Sequence, residues 1–295
     1  MDKIKIFNRI KNLYDNNANI IEYLKQFNDE NVNNIEDIMI SYDFQAGSYI
    51  SIYNKDPDIF NKYGYFLAKA IDMLEGYSSI VEVGIGEGTT LVPLLNNLKL
   101  QPDDILGFDI SWSRLKYAND FISRSSTQEV FLFLGDLFCL PLKDNSVDIV
   151  YTSHSIEPNG GREKEALTEL YRITNKYLIL LEPAYEFADE RAKQRMVKHG
   201  YIKELYETAK SLDYSIIEHR LFDLSMNPLN PTGLIIIEKK PKSIIDNKLC
   251  CPVTKAEMSM QRGSYYSKES MLAYPVIDGI PCLTPQNAVV ATKYL

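Results

Sequence analysis

The chain lacks most of what a secreted, membrane-spanning or nucleic-acid-wrapping protein needs. Its 295 residues include only four cysteines, Cys139, Cys250, Cys251 and Cys282. They are too few and too irregularly spaced for a disulfide framework, so a reducing cytoplasm is the expected compartment. No run approaches the ~20 apolar residues that cross a bilayer. The opening MDKIKIFNRIKNLYDNN has no uninterrupted apolar core of signal-peptide length. Basic residues are in the minority, with 32 Lys and Arg against 40 Asp and Glu and a net charge of −8. That balance counts against a protein that wraps a phosphate backbone, which needs clustered cations. Histidine is scarce too, at three residues. What remains, 45% apolar and 24% charged, is ordinary for a soluble globular protein, and the length suggests about two domains.

The chain is organised around residues 79 to 90, SIVEVGIGEGTT. Ile80, Val81 and Val83 read as a buried strand carrying Glu82. Gly84, Gly86 and Gly88 then let the backbone turn sharply and approach a ligand. Thr89 and Thr90 open a helical run, so the segment predicts strand, glycine loop and helix. A dinucleotide fingerprint would space its glycines G-x-G-x-x-G. Here the spacing is G-x-G-x-G, with an acid two residues before the first glycine.

E-x-G-x-G-x-G resembles motif I of the class I S-adenosylmethionine (SAM) methyltransferases, in which the loop wraps a methionine tail. Later segments extend the resemblance over roughly residues 40 to 240. DILGFDI ends a second predicted strand in Asp109 and Ile110, where a carboxylate accepts hydrogen bonds from ribose hydroxyls. GDLFCLPLKDNSVD follows a third strand and resembles the adenine-binding segment of the family. The resemblance therefore gives adenine to Asp136 and Leu137, and the loop and methionine end to Glu82. TSHSIEPNGGRE follows the fourth strand, beside the transferable methyl group. Ser153 belongs there with the cofactor. His154 is a candidate general base, because its ordinary pKa of ~6.5 suits proton removal from an alcohol, and Glu157 would orient it or bind the acceptor. A structural role for this histidine stands beside that reading. Glu182 and Arg162 are further acceptor-side candidates. The implied cofactor is SAM, with S-adenosylhomocysteine as product.

Along the chain, two short helices over residues 3 to 14 and 18 to 27 precede an aromatic segment, residues 41 to 53. That segment does not fit a clean helix, and Tyr42, Gln45 and Tyr49 are its candidate lid residues over the cofactor. Asp56-Pro57 starts a helix ending at Gly76. Alternating strands and helices follow, with strands expected over 104 to 110, 129 to 137, 147 to 158 and 177 to 183. The helix after the fourth strand is expected over 159 to 174, and 186 to 212 reads as helix broken near Gly200. Strands 214 to 222 and 232 to 240 have no helix between them and should pair antiparallel. The fold expected is α/β, a Rossmann-like seven-stranded methyltransferase sheet, mostly parallel with the last strand antiparallel. An N-terminal helical cap (1–40), a methyltransferase domain (41–240) and a small C-terminal β-rich domain (246–295) divide the chain.

The tail resembles a zinc-ribbon-like activator of tRNA and translation-factor methyltransferases, through CPVT near its start and AYPVIDGIPCL near its end. Thr254 replaces one cysteine of the family's C-P-x-C, so a metal-free domain is expected. The leading expectation is methyl transfer to an O or N nucleophile of a small-molecule acceptor, with no membrane role. No N-P-P-Y-type tetrapeptide follows the fourth strand, and SHSIEP stands there instead. Alternatives are methylation of tRNA or a translation protein with the activator in cis, a SAM-binding module without catalysis, and a nicotinamide oxidoreductase. Self-association through the aromatic segment or the tail is left open.

Overall fold

The computed structural model describes residues 6–16, 18–26, 34–243 and 247–294. The start of the first expected helix, Phe27, the joint at Asn33 and the terminal positions Asp246 and Leu295 lie outside the described residues.

A seven-stranded sheet forms the centre. Its strands are β1 (Ser79–Val83), β2 (Asp104–Asp109), β3 (Phe131–Leu134), β4 (Val147–Ser153), β5 (Thr174–Pro183), β6 (Ser215–Leu221) and β7 (Thr232–Glu238). Their order is β3-β2-β1-β4-β5-β7-β6. The first five run parallel, and β7 is antiparallel to both neighbours. The short β6–β7 connection dictates this, because a chain that returns without a crossover helix can only pair antiparallel. The order reverses at β1, which places the glycine loop beside the crevice where such sheets take ligands.

Both faces of the sheet are covered, as a parallel sheet of near-continuous apolar strands requires. On one side lie α5 (Pro57–Ile71), α6 (Leu91–Asn97) and α7 (Trp112–Ser125), contributing Leu67, Leu94 and Leu115 to the core. On the other lie α8 (Glu163–Ile173) and α10 (Leu205–Ser211), contributing Leu170 and Ala209. The N-terminal α1 (Phe7–Asp15) and α2 (Ile20–Lys25) pack Ile10, Ile20 and Leu24 against Ile40 of α3 (Ile35–Phe44). Between α8 and α10 in the chain, α9 (Glu190–His199) stops at Gly200, whose left-handed φ of 69° closes the helix.

Several boundaries differ from the expected ones. Residues 41 to 53 are helical on both sides of a break: α3 ends at Phe44 and α4 (Ser48–Lys55) begins after Gly47 at φ 94°. The helix after Asp56 ends at Ile71, short of Gly76, and Leu74 sits in the turn that follows. The third strand is only Phe131–Leu134. The fourth stops at Ser153 because His154 takes a left-handed φ of 55°, which a strand cannot continue through. Its following helix accordingly starts at Glu163.

The tail forms a separate small antiparallel sheet of β8 (Ser259–Gln261), β9 (Ser264–Ser267), β10 (Leu272–Ile277), β11 (Ile280–Pro281) and β12 (Val289–Val290). It docks on the edge of β3. The Leu283 N–H donates to the Leu134 carbonyl at 2.9 Å, beside a parallel bridge between Leu134 and Cys282. Cys250 donates to the Pro141 carbonyl, and Leu249 pairs with Leu142. Tyr274, Leu283, Cys251 and Met258 join the same apolar cluster as Phe108 and Phe133. An edge that would offer unpaired amides to other chains is thereby covered. Among the described residues no group of three or more His, Cys, Asp or Glu is placed to hold a metal ion, and no helix is long and apolar enough to cross a membrane.

Candidate functional site

A cavity of about 570 Å³ opens at the carboxyl ends of β1, β2 and β4, roofed by α3 and α4. Glu82, Gly84, Gly86, Asp109, Ile110, Leu137, Ser153, His154, Glu157, Tyr42 and Tyr49 all line it. The residues predicted for cofactor and catalysis thus converge on one space, apart from three cofactor candidates. Gly88 packs behind the loop, where an added Cβ would lie 3.2 Å from Ile122. Gln45 turns back to Ser41, donating through Nε2 at 2.8 Å. Asp136 is buried and accepts the Phe138 N–H at 2.9 Å, while its neighbours Gly135 and Leu137 supply the wall.

The loop geometry explains why glycine is needed. Gly84 has φ 64°, and an added Cβ would stand 2.4 Å from Cβ of Ser155, so the loop and the segment after β4 touch backbone to side chain. Asp109 fastens the far side: Oδ2 accepts the Gly86 N–H at 2.9 Å and Oδ1 accepts the Ser111 N–H at 2.8 Å. The same carboxylate lines the cavity. Burial pushes its pKa up, against the pull of the Arg114 charge and these backbone bonds.

Three residues outside the sequence-predicted set hold the roof down. Glu87, inside the glycine loop, accepts the Gly47 N–H at 2.9 Å and the Ile50 N–H at 2.7 Å, which caps α4. Asp43, at the end of α3, accepts from Ser111 Oγ and the Ser113 N–H and so secures the start of α7. Arg114 is only 6% exposed. Its Nε donates to the Tyr42 carbonyl, and its guanidinium lies 4.6 Å from the Tyr42 ring and 4.9 Å from that of Tyr49. Only Glu87 had a local sequence signal, an acid within the glycine run. Asp43 and Arg114 act across the fold, and one sequence does not reveal such pairings. Glu87→Ala should free the first turn of α4 and speed release of a bound nucleoside by about tenfold, matching one to two lost capping bonds. Stopped-flow release of S-adenosylhomocysteine measures it, and an unchanged rate would separate α4 from ligand retention.

Beyond Ser153, whose Oγ meets Tyr63 Oη at 3.0 Å, His154 and Glu157 form a closed network. His154 Nδ1 lies 2.6 Å from Glu157 Oε2, and Nε2 lies 2.8 Å from Thr232 Oγ1. Asn230 Nδ2 adds a 2.9 Å bond to the same Glu157 oxygen. Both ring nitrogens are therefore engaged, and neither tautomer leaves a free lone pair for a general base. Burial pulls the imidazole pKa down, but the hydrogen bond and charge of Glu157 outweigh it and hold the ring above its ordinary value. This argues against proton removal and for a positioning role. Glu182, the other acceptor-side candidate, sits behind the segment, where its oxygens accept the N–H groups of Ser155, Ile156 and Glu157. Arg162 is turned away, paired with Glu165 at 2.7 Å.

Buried acids give the site a pH signature. Burial pushes Glu82 up to about 8 and Glu182 up to about 7, the latter partly opposed by the His154 charge. With His154 also raised, the folded state binds more protons than the unfolded chain. The stability these groups contribute is full below their unfolded pKa values and is lost as pH rises through the folded ones. The ligand-free protein should therefore melt lower at pH ~8 than at pH ~5.5, with a loss of about 1.4 kcal/mol per pH unit for each proton released. Glu157, whose pKa is lowered by His154 despite burial, acts below this window. Glu82→Gln should flatten the slope. Melting curves that rise across the window would refute the assignment.

The site fits a SAM-type ligand. Glu82 Oε2 is buried without a hydrogen-bond partner among the described residues, on the cavity wall where an ammonium would pair with it. Asp109 lines the same cavity with a carboxylate that could accept from hydroxyl groups, and Ile110, Phe108 and Leu137 give it apolar walls. The fold is an α/β sheet with its cavity at the strand ends beside the switch in strand order. Residues 80–176 match the family described as Methyltransferase domain. The fold is shared with a protein of Methanococcus maripaludis assigned as an S-adenosyl-L-methionine-dependent methyltransferase, 16% identical, with a TM-score of 0.50 over 69% of this chain and 96% of that one. A SAM-dependent methyltransferase of Methanosarcina mazei is 15% identical with a TM-score of 0.49, covering 59% of this chain and 98% of that one. The chain carries a methyltransferase domain. A stretch amounting to 17% of the chain belongs with the UPF0434 proteins, being 39% identical over 56 residues to one from Rhodopseudomonas palustris and covering 86% of that protein.

Proposed function

We propose that this methyltransferase transfers a methyl group from SAM to an oxygen or nitrogen of a small-molecule acceptor in the cytoplasm. The observation that carries the reading is the single cavity that continues from the glycine loop past His154 and beneath α3, with Ile35 and Ile38 on its roof. An acceptor held there is enclosed between the N-terminal helices and the strand ends, which suits a small molecule better than a folded RNA or protein. When bound, SAM supplies an electrophilic methyl on a sulfonium. In this reading Glu82, Gly84, Gly86, Asp109, Ile110, Leu137 and Ser153 hold it, Tyr42 and Tyr49 cover it, and Gly88, Gln45 and Asp136 brace those residues from behind. Holding an acceptor close and aligned supplies much of the acceleration in such a transfer. His154 and Glu157 would contribute by fixing the segment after β4 and its hydrogen-bonding edge.

The chain is read as a helical cap (1–40), a catalytic domain (41–240) and an activator-like, metal-free tail (246–295). Docking of the tail on β3 favours an activator carried in cis. That observation supports a second reading, methylation of tRNA or a translation protein, for which activators of this kind serve. An acceptor screen with SAM, read by release of S-adenosylhomocysteine, tests the proposal. Turnover with a small molecule supports it, whereas turnover only with tRNA or a translation factor would replace it. Binding without turnover on any acceptor would make the protein a SAM-binding module.

A further inference from the structure

The cavity extends beyond the residues given to the cofactor, and its far wall carries buried polar atoms without partners. α9 contributes Arg195, the segment after it Tyr201, and the β6–β7 connection Met226, Asn227 and Asn230. Arg195 has no ion-pair partner among the described residues. Its guanidinium lies 5.5 Å from the Tyr201 ring and hydrogen-bonds that side chain, but its Nη1 is buried without a hydrogen bond. A buried N–H of a permanent cation left unpaired is costly, so this wall is built to receive an acceptor group. The nearby carboxylate does not serve: Glu157 is taken by His154 and Asn230. Asn230 is 7% exposed, and with its amide nitrogen committed to Glu157, its Oδ1 is buried and unpartnered. That oxygen asks for a hydrogen-bond donor.

We propose that the methyl acceptor is a small organic anion, whose carboxylate or phosphate is received by Arg195 and whose hydroxyl or amine donates to Asn230 Oδ1. The assignment rests on the methyltransferase reading of the cavity and deepens it to a substrate class. Arg195 is a specificity residue here, since a neutral analogue would leave its guanidinium unpaired. The planar Tyr42 and the flexible Met226 complete the wall and suit a flat apolar body between the two polar ends.

The test is calorimetry on the full chain saturated with S-adenosylhomocysteine, with 4-hydroxybenzoate, 4-hydroxyphenyl phosphate and neutral 4-hydroxybenzamide as probes. At least one anionic probe should bind about tenfold or more tightly than the amide, as expected for a charge-assisted bond. Whichever anion leads identifies carboxylate or phosphate. Arg195→Gln should erase the preference and leave S-adenosylhomocysteine affinity within about twofold. Asn230→Ala should weaken all three probes. Equal binding of the three probes, a preference that survives Arg195→Gln, or no binding below about 10 mM would overturn the proposal. Failure of the chain to bind S-adenosylhomocysteine would instead strike the cofactor reading. The same titrations on the free protein would still decide the anion site.

Discussion

Asp109→Ala is expected to bind S-adenosylhomocysteine about 100-fold more weakly than the native chain. The native carboxylate holds the glycine loop through the Gly86 N–H and caps the next turn through the Ser111 N–H. The carboxylate also lines the cavity, where ribose hydroxyls would donate to it. Losing two hydrogen bonds to a charged acceptor removes about 3 kcal/mol, which is roughly a hundredfold in affinity. Asp109→Asn keeps one acceptor oxygen and should fall between. The side chain is buried, so a melting curve of each variant accompanies the titration. A folded Asp109→Ala protein with native affinity would remove the ribose from this strand end.

The second large effect concerns the tail. Leu283 is fully buried in the cluster shared with the main sheet, and its N–H completes the edge of β3. Leu283→Asp places a carboxylate in that apolar cluster without a partner. The expected loss is about 4 kcal/mol or more, equivalent to roughly 10 °C of melting temperature or to an insoluble chain. Val290, 76% exposed on the outer strand of the same small sheet, is the control; Val290→Asp should shift melting by less than about 2 °C. The Leu134 carbonyl that accepts from Leu283 immediately precedes Gly135 to Leu137, so the milder Leu283→Ala should also weaken nucleoside binding. Equal effects at positions 283 and 290 would show that the tail does not support the catalytic sheet.

Most of this architecture was legible because local pattern and global fold agree. Alternating apolar residues before the glycines, a strand ending in Asp109 and a helix opened by the Ser111 cap each carry their own signal, and the structure keeps all of them. What escaped was non-local. The strand at 147 to 158 seemed longer because TSHS is compatible with extension, yet His154 takes φ 55° under the pull of Glu157 and Thr232, which lie 3 and 78 positions away in sequence. The aromatic segment at 41 to 53 lacks a clean helical pattern because Gly47 interrupts it, and its second helix is capped by a glutamate from the glycine loop. No motif marks Arg114 or Arg195 in the sequence. Only the assembled cavity turns their side chains into site features.

The most direct test of the central claim is calorimetric titration of the native full chain with SAM, S-adenosylhomocysteine and NAD. The account predicts micromolar binding of both SAM and S-adenosylhomocysteine and none of NAD at comparable concentration. Preferential NAD binding, or no binding of SAM, would contradict it and leave the glycine loop without its ligand.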